Sequence, residues 1–550
     1  MIVLLMISCK GNQKTSKELI AELQLKTGQV VTCGPPGKEF GTVDFKLACN
    51  ENVKADFNTA IELLHSFEYD EAEKAFASII AKSPDCAMAY WGVAMCNFHP
   101  LWEPPTVHDL KKGSAAIAIA KSILGKPDQV TAYIDAVDAY YKDWDKTNAL
   151  VRAIRFEKAM EQLRNRYPDD EEASIFYALA LDASASPTDK TYANQRKAGE
   201  ILNALYLKES NHPGIIHYII HTFDYPGIAQ LGLAAARRYA QVAPSSAHAL
   251  HMPSHIFTRL GLWDDCIQSN TQSVASAQCY AQSTGIQGHW DEELHGLDYL
   301  VYAYLQKGNN QKANELSKYV DSIREIHPVN LKSAYTFAAV PSRLALENKN
   351  WKAASTLPLH PVDFPWNRFP WQESLIHFAR LLGDVNLDSL QSAENELSEL
   401  RRLHDTLISQ NEKYRANQVA IQIKAGEAWI RLKKGDKSVA LAMMKLAADM
   451  EDSTSKHPVT PGEVLPAREL YGDMLYQMNQ YKDALIAYEG VLQKSPNRFN
   501  ALYDAAQTAS KLSNLVKASS YYKQLINISD TVKSDRMELS NAKIYLAKHH

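Results

Sequence analysis

The chain has 550 residues, of which 46% are hydrophobic and 22% charged, the ordinary composition of a globular protein. Its 59 basic and 63 acidic side chains give a net charge of -4 without a long basic run, which argues against nucleic acid as a partner. No uninterrupted apolar stretch of the sequence is long enough to span a bilayer.

The N-terminus begins with a short apolar run, MIVLLMISC, that ends at Cys9 and is followed by polar residues. This run resembles the end of a bacterial lipoprotein signal, although no basic residue precedes it. The resemblance implies a lipidated Cys9, contact with the membrane through that residue alone, and a periplasmic or outer-membrane-anchored protein.

Six further cysteines follow Cys9. In an oxidising compartment they are free to form disulfides, and the sequence suggests Cys33 with Cys49 or Cys49 with Cys86. Spacing alone does not choose between these pairings. Buried thiols on helices are an equally good interpretation of the same residues.

The pattern from residue 51 onward is helical, with few strand signals. Segments such as NTAIELLHSFEYDEAEKAFASIIAKSPD, with Ala72, Phe76 and Pro84, resemble the tetratricopeptide repeat of two helices with a period of 34 residues. The resemblance implies an all-α fold, a right-handed α-solenoid of helix pairs with a concave groove. HALHMPSHIFTRLGLW and HPVTPGEVLPARELYGDM further resemble a group of bacterial repeat proteins, which implies fold and no activity.

The predicted organisation follows these patterns. It comprises a signal-like segment at 1–9, an irregular cap at 10–50 and a first set of helices at 51–170. A central histidine-rich set follows at 171–320, a further set of helical repeats at 321–460 and the C-terminal units at 461–550.

Histidines are concentrated in the central set, where six of the 18 lie between residues 211 and 263. His217 and His221 are one helical turn apart, and His248, His251 and His255 fall within a narrow arc of one helix. Pro253 is expected to kink that helix. Aligning the repeats places these residues, together with Asp224, His295 and Asp298, on the face that lines the groove. Glu373, one turn from His377, occupies the same face in a later repeat.

Clustered imidazoles repel one another when charged, whereas a metal ion binds the neutral ring. We therefore predict a metal site, with Asp224, Asp298 and Glu373 as carboxylate ligands or general bases. Nitrogen and oxygen donors without a nearby cysteine pair suit Cu, Zn or Fe, as one ion or as a dinuclear centre. The predicted metal ligands are His217, His221, His248, His251, His255 and His295.

The resulting hypothesis is a secreted or surface-tethered metal-dependent enzyme, an oxidoreductase or hydrolase acting on a small-molecule, peptide or glycan ligand in the groove. The alternative is a scaffold that binds a peptide or glycan, or a lipoprotein that captures nutrients, without catalysis. We find no metalloprotease, nucleophile-elbow or phosphate-loop motif that would narrow the reaction.

Overall fold

The computed structural model describes residues 16–35, 39–46, 49–101, 104–186, 189–455 and 457–549, so Cys9 lies outside the described residues. The regular secondary structure of the described chain is almost entirely helical, which confirms the predicted all-α class of helix pairs. None of its described helices combines the length and the hydropathy that crossing a membrane requires. The chain divides into two compact units. The first unit consists of Met1–Val31 and Phe40–Tyr218, and the second consists of Thr32–Glu39 and Ile219–His550.

In the first unit, each helix from α2 to α8 packs on the next along the chain, and α4 also packs on α2 and α6. Phe76 of the predicted repeat is buried against Gly92, where an added Cβ would lie 2.3 Å from the Phe76 ring, so this position requires glycine. A 3-10 helix spans Glu51–Val53, and α10 continues into the second unit. The α-helices are α1 (Ser16–Glu22), α2 (Lys54–His65), α3 (Tyr69–Lys82), α4 (Ala87–Cys96), α5 (Val107–Ser122), α6 (Asp128–Tyr141), α7 (Ala149–Arg166), α8 (Glu171–Ala183), α9 (Ala193–Tyr206) and α10 (Pro213–Phe223).

The second unit holds the remaining helices and one two-stranded parallel sheet, β1 (His289–Trp290) with β2 (Ile326–His327). Two 3-10 helices lie at Ala229–Gly232 and Trp366–Arg368. Its α-helices are α11 (Leu233–Val242), α12 (Ala247–His251), α13 (Pro253–Leu260), α14 (Trp263–Thr284), α15 (Asp291–Gln306), α16 (Asn310–Ser322), α17 (Leu331–Glu347), α18 (Trp351–Ser355), α19 (Pro370–Asn386), α20 (Leu390–Ser409), α21 (Lys413–Lys433), α22 (Lys437–Ser453), α23 (Ala467–Gln477), α24 (Tyr481–Lys494), α25 (Phe499–Lys511), α26 (Leu515–Ile528) and α27 (Met537–Lys548).

Alternate helices of the second unit form one layer, because α15 packs on α17, α17 on α19 and α19 on α21. The C-terminal repeats also contact the central ones, and the Trp263 indole N–H donates to the Asn497 carbonyl across 2.9 Å. Gly261 ends α13 with a φ of 64°, and a Cβ there would lie 2.2 Å from the Pro496 carbonyl oxygen. Glycine therefore both ends the helix and permits this close approach.

Two disulfides join distant parts of the sequence. Cys49 bonds Cys86 in the first unit, which is one of the two suggested pairings, and Cys33 bonds Cys279 of α14 in the second. The suggested Cys33–Cys49 pairing is wrong, because Cys33 belongs to the segment Thr32–Glu39, which packs with the second unit. Cys96 and Cys266 are buried thiols.

A buried ion network connects the central and C-terminal repeats of the second unit. The fully buried Arg498 guanidinium lies 2.7 Å from a Glu347 carboxylate oxygen and 2.6 Å from one of Glu469. These carboxylates belong to α17 and α23, so a single side chain joins two helices that are far apart in sequence.

We expect Arg498→Met to lower the free energy of unfolding by about 3–5 kcal/mol, because it leaves two buried carboxylates without their cation. Denaturant titration measures this. The control is Lys312→Met, which removes an exposed pair with Glu315 and should leave the free energy of unfolding almost unchanged, because solvent screens exposed ion pairs. Equal stability of the two variants would show that the buried network does not stabilise the fold.

Candidate metal centre

The central histidines of the second unit come from three helices. His251 lies on α12, His255 on α13 and His295 on α15. Helix α12 begins at the Ser246 cap, whose hydroxyl accepts the Ala249 N–H at 3.0 Å.

Pro253 begins α13, where its missing N–H costs nothing. The expected kink is therefore a junction between two short helices, and it leaves His251 and His255 directed toward each other.

His251, His255 and His295 form a compact group, called the triad below. Their available ring nitrogens all lie within 4.8 Å of one another, and each side chain is at most 5% exposed. The Nε2 atoms of His251 and His255 are 3.1 Å apart, and the rings of His251 and His295 have centroids 4.1 Å apart. The structure thus brings three of the predicted ligands together.

The hydrogen bond to Asp224 fixes the orientation of the His255 ring. His255 Nδ1 lies 3.0 Å from one Asp224 carboxylate oxygen, and the Arg259 Nε–H donates to the other across 2.8 Å. A carboxylate paired with arginine only accepts, so His255 Nδ1 carries the hydrogen and Nε2 presents its lone pair.

Asn270 acts on His251 in the same way. Its amide nitrogen donates to the Cys266 carbonyl across 2.8 Å, so its amide oxygen faces His251 Nδ1, 2.6 Å away, and accepts from it. His251 Nε2 therefore also presents a lone pair.

Two lone pairs that face each other across 3.1 Å repel unless a cation lies between them. A tetrahedral metal with bonds of about 2.0–2.1 Å holds two ligand nitrogens about 3.3 Å apart. The arrangement of His251 and His255 therefore has the spacing and the tautomers of a pair of metal ligands.

Tyr299 lies at the edge of the triad, with its hydroxyl 3.5 Å from His255 Nε2 and its ring centroid 4.7 Å from that of His251. Burial, together with the negative Asp224, raises the pKa of Tyr299 well above its usual value, so its hydroxyl keeps its proton. Burial and the neighbouring His251 lower the pKa of His295 well below its usual value, so that ring is neutral near pH 7.

His221 and His248 lie beside the triad. One ring nitrogen of His221 lies within 4.8 Å of one ring nitrogen of His248, and the two rings are stacked with centroids 6.2 Å apart. The His221 ring centroid is 6.4 Å from that of His255. Five of the six predicted ligands thus lie in one neighbourhood of the second unit.

His217 is the remaining predicted ligand and belongs to the first unit. It is fully buried, and its Nδ1 donates to the His65 carbonyl across 2.6 Å. Its ring packs edge-on against Phe67, with centroids 4.4 Å apart. The bond at Nδ1 leaves Nε2 with a lone pair, as in His251 and His255.

Of the three predicted carboxylates, Asp224 is the one that a described contact joins to a triad imidazole. Asp298 forms a buried ion pair with Arg343, yet burial raises the pKa of Asp298 to about 6. Glu373 contacts His377 at 3.6 Å and Arg402 at 3.2 Å. The predicted roles of Asp298 and Glu373 as ligand or base remain predictions.

A second histidine group, which the sequence spacing did not predict, lies in the first unit and consists of His65, Glu172 and His212. The two Nε2 atoms each lie 2.9 Å from a different Glu172 oxygen, and both can donate to it. His65 Nδ1 accepts from the Tyr218 hydroxyl at 2.9 Å, and His212 Nδ1 accepts from the Ile215 N–H at 3.4 Å. Every ring nitrogen in this group has a hydrogen bond of the correct polarity, so the group is complete without a metal.

Comparisons with known proteins do not identify a function for this chain. No protein-family profile and no curated protein sequence matches the chain. Among solved structures, a monomeric mutant of IFIT1 with m7Gppp-AAAA aligns over 93% of this chain and 99% of that chain, at 10% identity and a TM-score of 0.34. A likeness at this level supports no statement about function, which therefore rests on the residues described above.

We expect Glu172→Gln to destabilise the first unit by about 3 kcal/mol at neutral pH, because it removes a buried charge shared by two imidazoles. Burial alone would raise the pKa of Glu172, but His65 and His212 lower it far below its usual value. The carboxylate therefore stabilises the fold fully above pH 4.5, its unperturbed pKa, and progressively less as the pH falls below that.

Thermal unfolding of the wild type and the variant between pH 7 and pH 3.5 tests this prediction. The difference between their midpoints should shrink below pH 4.5, the unperturbed pKa of Glu172. A difference that stays constant down to pH 3.5 would contradict it.

Proposed function

We propose that the chain binds a transition-metal ion through His251, His255 and His295, and that this ion is the centre of an enzyme. The observation that supports the proposal is the pair of Nε2 atoms, 3.1 Å apart, each directed inward by a hydrogen bond at Nδ1. Hydrogen bonds of this kind, to the ring nitrogen that does not bind the metal, fix the orientation of metal-binding histidines in proteins.

The donor set favours a reactive site over a structural one. Structural zinc sites are closed by four protein ligands, commonly including cysteine, whereas catalytic sites hold the metal with three and leave one position open. Three imidazoles suit Zn, Cu or Fe better than Mg or Ca. A metal held in this way supplies a Lewis acid or an activated water.

The surrounding residues have distinct roles in this proposal. Asp224 and Asn270 orient two of the imidazoles, and Arg259 pairs with the Asp224 carboxylate. The Tyr299 hydroxyl, which retains its proton, donates a hydrogen bond to an oxygen of the bound ligand. Because the triad is buried, the ligand is a small molecule or the end of a peptide or glycan chain.

A binding scaffold without catalysis is the second candidate. A cavity of about 880 Å³ in the second unit favours it. Asn310, Arg324 and Asn348 contribute polar groups to its wall, and Phe337 and Leu344 contribute apolar ones. Such a scaffold would bind its ligand equally well with and without metal.

We further propose that the protein is secreted or tethered at a bacterial surface through a lipidated Cys9. The disulfides Cys33–Cys279 and Cys49–Cys86 support an oxidising compartment. Incorporation of labelled palmitate tests the tether. We expect it in the wild type and not in Cys9→Ser, and equal labelling of both would contradict the proposal.

The metal itself is the first test. Untagged protein should contain at least one equivalent of transition metal by elemental analysis, and His251→Ala/His295→Ala should contain one equivalent less. The matched control is Glu172→Gln, which alters the complete histidine group and should retain the wild-type content. Wild-type protein that retains no stoichiometric metal after reloading would contradict the proposal and favour the scaffold.

The hydrogen bond to His255 is the second test. We expect Asp224→Asn to weaken metal affinity about 10–100-fold, because the amide no longer acts as a charged acceptor for His255 Nδ1. Competition with a chromophoric chelator measures this. An unchanged affinity would show that Asp224 does not orient a metal ligand.

A further inference from the structure

A second pair of histidines lies next to the triad and takes no part in it. His221 lies on the apolar helix α10, and His248 lies on α12, three residues before His251. Both side chains are at most 9% exposed, and a nitrogen of one lies within 4.8 Å of a nitrogen of the other.

The stacked geometry of this pair is unfavourable for two charged rings. The ring planes are inclined by 23°, with centroids 6.2 Å apart. Placing two imidazolium groups at this separation in a buried site would combine charge repulsion with desolvation. Neutral rings that share a cation avoid both costs.

The pair is connected to the triad on both sides. His248 shares α12 with His251, and the His221 ring centroid lies 6.4 Å from that of His255. Ions held by the two groups would therefore be neighbours, as in two-metal sites where the paired ions stabilise the attacking and the leaving oxygen of a displacement.

We propose that His221 and His248 bind a second transition-metal ion, so that the centre is dinuclear. This inference rests on the proposed metal function of the triad. The donor set is again made of imidazole nitrogens, which select Zn or Cu over the harder Mg and Ca.

Metal stoichiometry distinguishes this inference from the proposed function. Apo protein prepared with a chelator is reloaded separately with Zn²⁺ and with Cu²⁺, desalted, and analysed for metal per chain. We expect two equivalents in the wild type and one in His221→Ala/His248→Ala. We also expect one in His251→Ala/His295→Ala, and two in the control His377→Gln, which alters a buried histidine that pairs with Glu373 and Glu396.

The second ion would be ruled out, and the first retained, if the wild type held one equivalent of metal that His221→Ala/His248→Ala kept and His251→Ala/His295→Ala lost. No bound metal in any form would overturn the proposed function itself. Should the double alanine variant fold poorly by circular dichroism, His221→Gln/His248→Gln replaces it, because glutamine preserves much of the side-chain volume.

Electron paramagnetic resonance of the Cu²⁺-loaded protein provides a further test. Two adjacent Cu²⁺ ions couple magnetically, so the wild type with two Cu²⁺ ions should give less than half the signal intensity expected from its copper content. The His221→Ala/His248→Ala variant should give the full signal of its single ion. Full signal from two equivalents in the wild type would show that the ions are not adjacent and would contradict a dinuclear centre.

Discussion

The contact between His251 Nε2 and His255 Nε2 is the interaction on which the candidate site depends. Two nitrogen lone pairs do not approach to 3.1 Å without compensation, and the hydrogen bonds at both Nδ1 atoms prevent either ring from turning away. The protein therefore holds two acceptors in an arrangement that a cation stabilises. Asp224 and Asn270 contribute as much to this arrangement as the imidazoles themselves.

The helical repeat makes such a site possible because it stacks short helices from successive repeats. His251, His255 and His295 come from three helices, and the junction at Pro253 sets the angle between two of them. The buried Arg498 network and the C-terminal contacts stabilise the same unit, so the ligands sit on a rigid frame. Rigid elements hold metal ligands more accurately than loops do.

Periodicity allowed part of this to be predicted. The helical spacing of His248, His251 and His255 indicated a shared face, and the repeat register added His295. The contributions of Asn270 and Tyr299 were not predictable, because they depend on how α14 and α15 pack against α12. The partner of Cys33 is 246 residues away, and no local pattern marks it.

Histidine content alone also failed to separate two different kinds of group. His65, Glu172 and His212 lie as close together as the triad, yet each ring nitrogen there meets a hydrogen-bond partner of opposite polarity. The difference lies in the tautomers, which are set by the hydrogen-bond partner of each ring nitrogen. The donor and acceptor roles of the ring nitrogens, more than their proximity, decide which histidine group is suited to bind a metal.

Anomalous diffraction from a crystal of the metal-loaded protein, recorded on both sides of the Zn or Cu absorption edge, tests the central claim most directly. The account predicts an anomalous peak between the Nε2 atoms of His251 and His255. A map without a peak there, with the two nitrogens joined by a shared proton, would contradict it.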